Sequence, residues 1–208
     1  MHLDLEASTR CRLSCPKCIR TRLAESKELN IWDFPVDQFR KLCESKKYHD
    51  IFFGGTYGDC IYHPQFYELI EIAKKNNIMV QIHTNGSGKS LEWWKSIVDL
   101  LDRDDAINFA MDGFKETAGV YRVNFTEKDF DKNIEVFKYA KSKRIPCIWT
   151  FIPMRFNEHQ IEDARKLAKE LNVTFILKKS ERWYSKNDPL LPKDLNLIAK
   201  HARERLKI

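Results

Sequence analysis

The sequence contains no apolar run long enough to span a bilayer, and its amino terminus, MHLDLE, lacks the basic region and the apolar segment of a secretory signal. These absences predict a cytoplasmic protein with no membrane partner. Glycine and proline are scarce, at seven residues each, which excludes fibrous and low-complexity chains. The sequence has 30 Asp and Glu and 36 Lys and Arg, so basic residues outnumber acidic ones. The net charge of +6 permits an anionic partner without requiring one.

Cysteine is present six times, but nothing in the sequence indicates secretion, and 208 residues are enough for a substantial core without disulfides. We therefore expect free thiols. Cys43, Cys60 and Cys147 stand alone in apolar surroundings, so we interpret them as buried core residues. The other three cysteines are clustered near the amino terminus.

Strand-like and helical patterns alternate regularly along the chain. Six short apolar or alternating segments predict strands, and five amphipathic segments between them predict helices. This alternation is typical of right-handed crossovers and an α/β parallel sheet covered by helices, either open or curled into a partial barrel, and a short helical appendage follows it at the carboxyl end. The predicted strands are 2–8, 50–55, 78–86, 106–113, 146–152 and 173–179, and the predicted helices are 36–47, 64–77, 91–103, 127–144 and 157–172.

The clustered cysteines form the stretch CRLSCPKC, in which Cys11, Cys15 and Cys18 follow the first predicted strand. The carboxyl ends of parallel strands are where such sheets place their ligand sites. A structural zinc site needs four protein ligands, and no second cysteine pair is present to complete one. A four-iron cluster suits three thiolates and leaves one iron open for another ligand. The remaining alternative is three unliganded thiols.

The C-x-x-x-C-x-x-C spacing after a first strand resembles the radical S-adenosylmethionine superfamily, and CRLSCPKCIRT looks like the branch whose members often carry a SPASM or twitch extension. The resemblance covers about residues 3–180 and implies a partial (β/α)6 barrel, with a radical SAM core domain at 1–180 and a tail at 181–208. It also implies a [4Fe-4S] cluster on the three cysteines and S-adenosylmethionine on the open iron. Reductive cleavage of that cofactor would produce a radical that abstracts hydrogen from a substrate.

The resemblance extends to positions expected near the methionine part of S-adenosylmethionine. FFGGTYGD matches a GGE-type motif whose backbone receives the amino group, which implicates Gly54, Gly55 and Thr56, with Thr where Glu is commoner. Arg122 is placed to bind the carboxylate, since guanidinium and carboxylate pair in a bidentate way. The alternative for Arg122 is a solvated surface side chain.

Other positions are implied for the adenosine part of the cofactor. Asn85 in HTNG and Asp112 in AMDG would lie near the ribose, although either residue also suits a turn. Lys17 stands where an aromatic residue is common and would contact adenine through its backbone. Pro153, with Ile152, would pack against adenine or belong to the core. Asn157 is expected to cap the next helix.

The sequence also departs from the branch, and other functions stay open. No cysteine follows Cys147, so an auxiliary cluster is unsupported. A compact deazaguanine-pathway synthase would have Asp-Thr after the third cysteine, where this chain has Ile-Arg-Thr. A zinc-stabilised nucleic-acid module is suggested by the thiols, the basic charge and the Arg182–Tyr184 stretch. Tyr57, Asp59 and Cys60 either face the opening or line a loop, so no catalytic residue is assigned.

The partners implied by the resemblance are a small-molecule or peptide substrate and an electron donor such as flavodoxin or ferredoxin. We expect no nucleic-acid partner. The sequence leaves the identity of the substrate open, because residues that select a substrate are not fixed by the fold.

Overall fold

Six parallel strands form the centre of the molecule, and the computed structural model describes residues 1–208 without a gap. The strands are paired in the order in which they occur along the chain. The first and last strands are not paired with each other, so the sheet is an open, partial barrel, as the sequence predicts. The strands are β1 (His2–Glu6), β2 (Asp50–Gly54), β3 (Met79–Thr84), β4 (Ala106–Ala110), β5 (Cys147–Phe151) and β6 (Thr174–Leu177).

Alternation along each strand separates a helix-facing side from the barrel interior. In β2, Ile51 and Phe53 are buried, whereas Phe52 between them is partly exposed and contacts the ring of His83 in β3 at 4.1 Å between centroids. Phe109 in β4 likewise packs against Trp94 on the helical side. The two-residue period of the strands thus produces an apolar outer layer and an open inner face.

Helices cover the outer face of the sheet with their apolar stripes. The clearest is α6, which begins with a capping box between Thr126 and Asp129 and buries Phe130 and Phe137 two turns apart. Phe137 reaches the sheet at Phe109, with 5.1 Å between ring centroids. The helices are α1 (Ile19–Glu25), α2 (Val36–Glu44), α3 (Phe66–Lys75), α4 (Leu91–Val98), α5 (Lys115–Tyr121), α6 (Glu127–Ser142), α7 (Ile161–Glu170) and α8 (Lys200–Leu206).

Two of these helices, α1 and α5, were not predicted from the sequence. Both have only seven residues, and α1 buries none of them, so neither has a strong amphipathic period. Helix α1 follows the cysteine loop directly, with Cys18 as its N-cap residue. Helix α5 leads from β4 to Arg122, which is its C-cap residue. The two short helices therefore orient residues that the sequence analysis selected.

Because glycine is scarce, other residues terminate the longer helices. The left-handed conformation that glycine usually supplies after a helix is adopted by Asn77, Arg144 and Asn172, with φ of 57°, 64° and 54°. Asparagine tolerates this conformation better than most residues, and Arg144 adopts it at a steric cost. Helix termination in this protein therefore does not depend on glycine.

The carboxy-terminal segment packs back onto the barrel. It contains a 3₁₀ turn (Leu195–Leu197) and α8, and it contributes Trp183, Ile198 and Ala202 to the same hydrophobic core as the strands. Trp183 is 0% exposed. The solitary cysteines predicted to be core residues are buried as well. None of the helices is both long and apolar enough to cross a membrane.

Candidate active site

The three clustered cysteines lie in the loop that follows β1, and Cys15 is buried while Cys11 and Cys18 are half-buried. The buried side chain of Leu13 anchors the loop in the core, and its backbone N–H lies 3.4 Å from Cys11 Sγ. A second attachment joins Ser14 N to Val123 O at 3.1 Å. The cysteine loop is thus held against the segment that follows α5.

The thiols lie in a poorly solvated environment. Burial raises the pKa of Cys11 to about 12, and burial also raises the pKa of Cys15. Both therefore stay protonated at neutral pH unless a metal displaces the proton. No three His, Cys, Asp or Glu side chains converge on a point where they could hold one metal ion. This geometry gives no support to a single zinc ion.

A buried carboxylate, Asp59, organises the carboxyl end of β3 beside the cysteine loop. It accepts hydrogen bonds from Thr84 Oγ1 and Asn85 N, both at 2.9 Å, and from the Asn85 side-chain amide. The same Asn85 Nδ2 lies 3.6 Å from Cys11 Sγ. Burial raises the pKa of Asp59, and these hydrogen bonds oppose the shift. No cation lies within ion-pair distance of the carboxylate, so Asp59 is a buried acceptor beside Cys11.

The predicted backbone motif at Gly54, Gly55 and Thr56 lies at the carboxyl end of β2, with the last two residues exposed. The amide of Thr56 donates to the carboxylate of Glu6 at 2.7 Å, and Tyr57 N donates to it at 3.1 Å. These amides are therefore engaged by a side chain of β1. The role predicted for the three residues stays a prediction.

Gly58 makes the closest backbone approach in this region. A Cβ at this position would lie 2.0 Å from the carbonyl oxygen of Ser8, which follows β1. Only glycine permits such an approach. The next residue, Asp59, has its backbone N–H bonded to Arg10 O at 2.8 Å. A glycine followed by an acidic residue, as in a GGE-type motif, therefore occurs at Gly58–Asp59. These two residues lie directly against the cysteine loop.

Asp112 and Arg122 form a buried ion pair behind the cysteine loop. Arg122 Nη2 lies 2.9 Å from Asp112 Oδ2, and their side chains are 12% and 0% exposed. Burial raises the pKa of Asp112, and the charge of Arg122 opposes this shift. Cys15 lies within the electrostatic field of both residues. The alternative of a solvated surface arginine at position 122 is wrong, because α5 turns this side chain inward.

Two polar atoms of this pair have no hydrogen-bond partner. Arg122 Nε has no acceptor, and Asp112 Oδ2 receives no aligned donor despite its closeness to Nη2. Buried polar atoms normally have partners, so Arg122 Nε is a donor that a ligand with an acceptor group could use, whereas Asp112 Oδ2 is already compensated by the charge of Arg122.

The loop after β5 is fixed by the same carboxylate. Ile152 N donates to Asp112 Oδ1 at 2.8 Å, and Pro153 beside it is buried. Asn157 was expected to cap a helix; it is the N-cap residue of the 3₁₀ turn Glu158–Gln160, but its side chain makes no cap hydrogen bond. Instead its amide donates to the carbonyl oxygens of Asp112 and Ile152, each at 3.1 Å. Asn157 thus joins the ends of β4 and β5 because it is buried between them.

Lys17 links the cysteine loop to the tail. Its ammonium forms an ion pair with Asp188 and lies 5.0 Å from the centroid of the Trp183 ring. Its carbonyl, where an adenine contact is predicted, accepts a hydrogen bond from Arg182 at 3.4 Å. The tail therefore crosses the open side of the barrel at the cysteine loop.

The interior of the barrel carries a polar row that the sequence analysis did not select. Thr150 Oγ1 donates to Asn108 Oδ1 at 2.9 Å, and Asn108 Nδ2 lies 3.3 Å from a ring nitrogen of His83. Burial, with the charge of Lys178, lowers the pKa of His83 to about 4. Barrel interiors without a ligand are normally filled by branched apolar residues. The alternation of polar residues within otherwise apolar strands was the available sequence signal.

The structure brings several predicted residues together and leaves others apart. Asn85 meets Cys11, Asp112 meets Arg122 near Cys15, and Lys17 meets the tail. The Gly54–Thr56 segment reaches the cysteine loop only through Gly58 and Asp59. The sequence analysis left Asp59 unassigned, although a carboxylate directly after a glycine was a usable signal.

Comparison with known proteins places this geometry in a family. The family model of the Radical SAM superfamily matches residues 5–171. The tungsten-containing aldehyde ferredoxin oxidoreductase cofactor-modifying protein of Pyrococcus furiosus is 30% identical over 115 residues, which cover 53% of this chain and 30% of that protein. The chain thus spans less than a third of that relative's length.

Solved structures share the fold at low sequence identity. Streptococcus suis SuiB bound to S-adenosylmethionine has a TM-score of 0.64 at 16% identity, over 86% of this chain and 39% of SuiB. Native anSMEcpe with bound AdoMet has a TM-score of 0.59 at 19% identity, over 84% of this chain and 50% of that chain. The open six-strand barrel, the loop of three cysteines after β1 and the family match over most of the sequence lead to one conclusion: the chain belongs to the Radical SAM superfamily.

Proposed function

We propose that this enzyme binds a [4Fe-4S] cluster through Cys11, Cys15 and Cys18 and cleaves S-adenosylmethionine reductively to abstract hydrogen from a substrate. Enzymes of this superfamily use that cluster and that cofactor. The observation that carries the proposal is the position of three clustered thiols beside the buried Asp112–Arg122 pair, in which Arg122 Nε has no hydrogen-bond partner.

The residues present fit both groups. Three soft thiolates are the ligands that an iron-sulfur cluster prefers, and three of them leave one iron for another ligand. S-adenosylmethionine has a carboxylate and ribose hydroxyls, so it offers an acceptor to Arg122 Nε and a donor to Asp112 Oδ2. When bound, the two groups supply an electron and a 5′-deoxyadenosyl radical that takes hydrogen from the substrate.

The chain's own residues then bind and orient the cofactor. We propose that Asp59, which lacks a cation partner, faces the ammonium group of S-adenosylmethionine together with carbonyls of the Gly54–Thr56 segment. Asn85 and Asp112 would hold the ribose, and the Lys17 carbonyl and Pro153 would contact adenine. Burial of Cys15 and Asp112 keeps water out of this region.

The proposal also covers the class of substrate and the source of the electron. Superfamily enzymes act on small molecules or peptides, and one solved SuiB structure holds its precursor peptide SuiA. We propose a substrate of either kind within the polar row of His83, Asn108 and Thr150. A flavodoxin or ferredoxin would supply the electron, and the six free cysteines suit a reducing compartment such as the cytoplasm.

We also propose that the chain belongs to the SPASM or twitch-like branch, and that it divides into a core at 1–180 and a tail at 181–208.

Anaerobic reconstitution tests the proposal. The chain is loaded with iron and sulfide, reduced with dithionite and given S-adenosylmethionine, and 5′-deoxyadenosine is measured. We expect about four irons per chain, as the cluster type requires, and formation of 5′-deoxyadenosine. Cys15→Ala should abolish that formation.

Cys43→Ala is the matched control, because Cys43 is equally buried but belongs to α2, away from the cysteine loop. It should retain cluster assembly and cleavage. A protein that takes up no iron, or one in which Cys15→Ala and Cys43→Ala behave alike, would contradict the proposal.

A further inference from the structure

A basic pocket opens at the carboxyl end of β6, directly beside the proposed cofactor site. It has a volume of about 380 Å³. This volume suits a small ligand or one part of a larger one. Its lining includes two hydrophobic residues, Ile152 and Tyr184, with Ser180, four exposed cations and one acid, namely Lys178, Lys179, Arg182, Arg205 and Glu181.

The position of the pocket follows from residues that it shares with the site. Ile152 forms part of its wall and is bonded through its amide to Asp112. Arg182 forms another part and donates to the carbonyl of Lys17 in the cysteine loop. A ligand in the pocket would therefore lie next to any ligand held by Asp112 and the cysteines.

Lys178 faces the interior of the barrel. Its backbone continues the pairing of β6, since Lys178 N donates to Phe151 O at 2.8 Å. Side chains along a strand alternate between its two faces. Phe175 packs against Trp149 on the outer face. Ile176, which is 41% exposed, lies on the inner face together with Lys178. The effect of Lys178 on the pKa of His83 agrees with this orientation.

The four cations of the pocket are not neutralised by the protein. None of them lies within 4.0 Å of a carboxylate, although the same protein forms sixteen such contacts elsewhere. Four cations against the single acid Glu181 leave a net charge of 4 − 1 = +3. Arg205 is held in place by the carbonyls of Glu181 and Trp183, at 3.0 and 3.2 Å, and by the ring of Tyr184.

This charge does not suit S-adenosylmethionine itself. That molecule carries an ammonium, a sulfonium and one carboxylate, so it is a net cation, and Arg122 already offers a partner for its carboxylate. A pocket with three net positive charges favours a multiply charged anion instead. A phosphate ester or diphosphate matches it better than a monocarboxylate, because lysine and arginine together can satisfy several phosphate oxygens.

We propose that this pocket binds a phosphate or diphosphate group of the substrate, so that the substrate is a phosphorylated small molecule held beside S-adenosylmethionine. The inference rests on the proposed function, since it places this anion next to that cofactor. Lys178 and Arg205 both line the pocket and contribute charge to the anion, and the polar row of the barrel is left for the uncharged part of the substrate.

Titration of inorganic pyrophosphate into the reconstituted full-length chain, followed by calorimetry with S-adenosylmethionine present, tests this inference. We expect saturable binding of one pyrophosphate per chain. Lys178→Gln and Arg205→Gln should each weaken binding by about tenfold, as loss of one charge-assisted contact implies. Two separate variants keep the test valid if one of them fails to fold.

Lys169→Gln is the matched control, because Lys169 is an exposed lysine of α7 outside the pocket. Its affinity for pyrophosphate should equal that of the unmodified chain. Absence of saturable binding, or equal weakening by Lys169→Gln, would overturn the inference. Succinate binding as tightly as pyrophosphate would overturn the assignment to phosphate, and a single-stranded oligonucleotide that binds without displacement by pyrophosphate would overturn the small-molecule class.

The two proposals fail separately in this design. Iron content and 5′-deoxyadenosine formation report on the cluster and on S-adenosylmethionine. Pyrophosphate affinity reports on the pocket alone. A chain that cleaves S-adenosylmethionine but does not bind pyrophosphate would leave the proposed function intact and remove only the phosphorylated substrate.

Discussion

Arg122 and Asp112 form an ion pair in the interior, with 2.9 Å between Nη2 and Oδ2, although the two residues lie at opposite ends of the short helix α5. The pair connects the end of β4 to the cysteine loop, and Asp112 also fixes the amide of Ile152 after β5. Because each partner is buried, each depends on the other for compensation of its charge.

Removing the charge of Arg122 should therefore destabilise the fold. We expect Arg122→Met to lower the free energy of unfolding by about 3–5 kcal/mol, because Asp112 would remain buried without a partner. Urea denaturation measures this change. Arg40→Met is the control, since Arg40 pairs with Glu68 at the surface, and it should cost at most about 1 kcal/mol. Equal losses in both variants would contradict the role assigned to the buried pair.

Replacing Asp59 should change the reduction potential of a bound cluster. A buried carboxylate beside Cys11 disfavours addition of an electron, so we expect Asp59→Asn to raise the midpoint potential, on the order of tens of millivolts. The variant keeps an oxygen that can accept from Thr84 and Asn85, and it loses only the longer bond from Ile61 N to the other oxygen, at 3.4 Å. A redox titration followed by electron paramagnetic resonance measures the shift.

Asp105→Asn is the control for that measurement. Asp105 is as fully buried as Asp59, but it pairs with Lys74 and precedes β4 at the other end of the sheet. Its replacement should leave the potential unchanged. The same potential in Asp59→Asn and in the unmodified protein would refute the electrostatic role of Asp59.

His83 should make the stability of the protein depend on pH. Its pKa is lowered from the ordinary value of 6.5 to about 4, first by burial and then by Lys178. The unfolded chain therefore binds a proton at a higher pH than the folded one, and stability is lost as the pH falls from 6.5 to about 4. Urea denaturation at pH 7 and pH 4.5 should show a smaller loss for His83→Gln than for the unmodified protein. His49→Gln, at an exposed position, should keep the full loss.

Two neighbouring aromatic residues test whether the tail is part of the core. Trp183 is 0% exposed and belongs to the core cluster, whereas Tyr184 is 75% exposed. We expect Trp183→Ala to lower the free energy of unfolding by about 3–5 kcal/mol and Tyr184→Ala to change it by less than about 0.5 kcal/mol. Chemical denaturation compares them directly. A small loss in Trp183→Ala would mean that the tail packs weakly on the barrel.

The sequence by itself determined the order of strands and helices, the parallel sheet and the location of the three cysteines. These features depend on local periodicity and on spacing along the chain, both of which are readable without contacts. The same local signals were too weak for α1 and α5, because a seven-residue helix with few buried side chains has little period to detect. They also suggested a helix cap for Asn157, which does occupy the N-cap position of a 3₁₀ turn but directs its side-chain amide to two strand ends.

Only the tertiary structure decided which polar residues share one environment. Lys17 and Asp188 are 171 positions apart in the sequence and form an ion pair because the tail crosses the open side of the barrel. Asp59 is hydrogen-bonded by residues at the carboxyl end of β3. Arg122 is buried because α5 turns its side chain toward Asp112. Burial and proximity depend on how distant segments pack together, so local sequence patterns do not contain them.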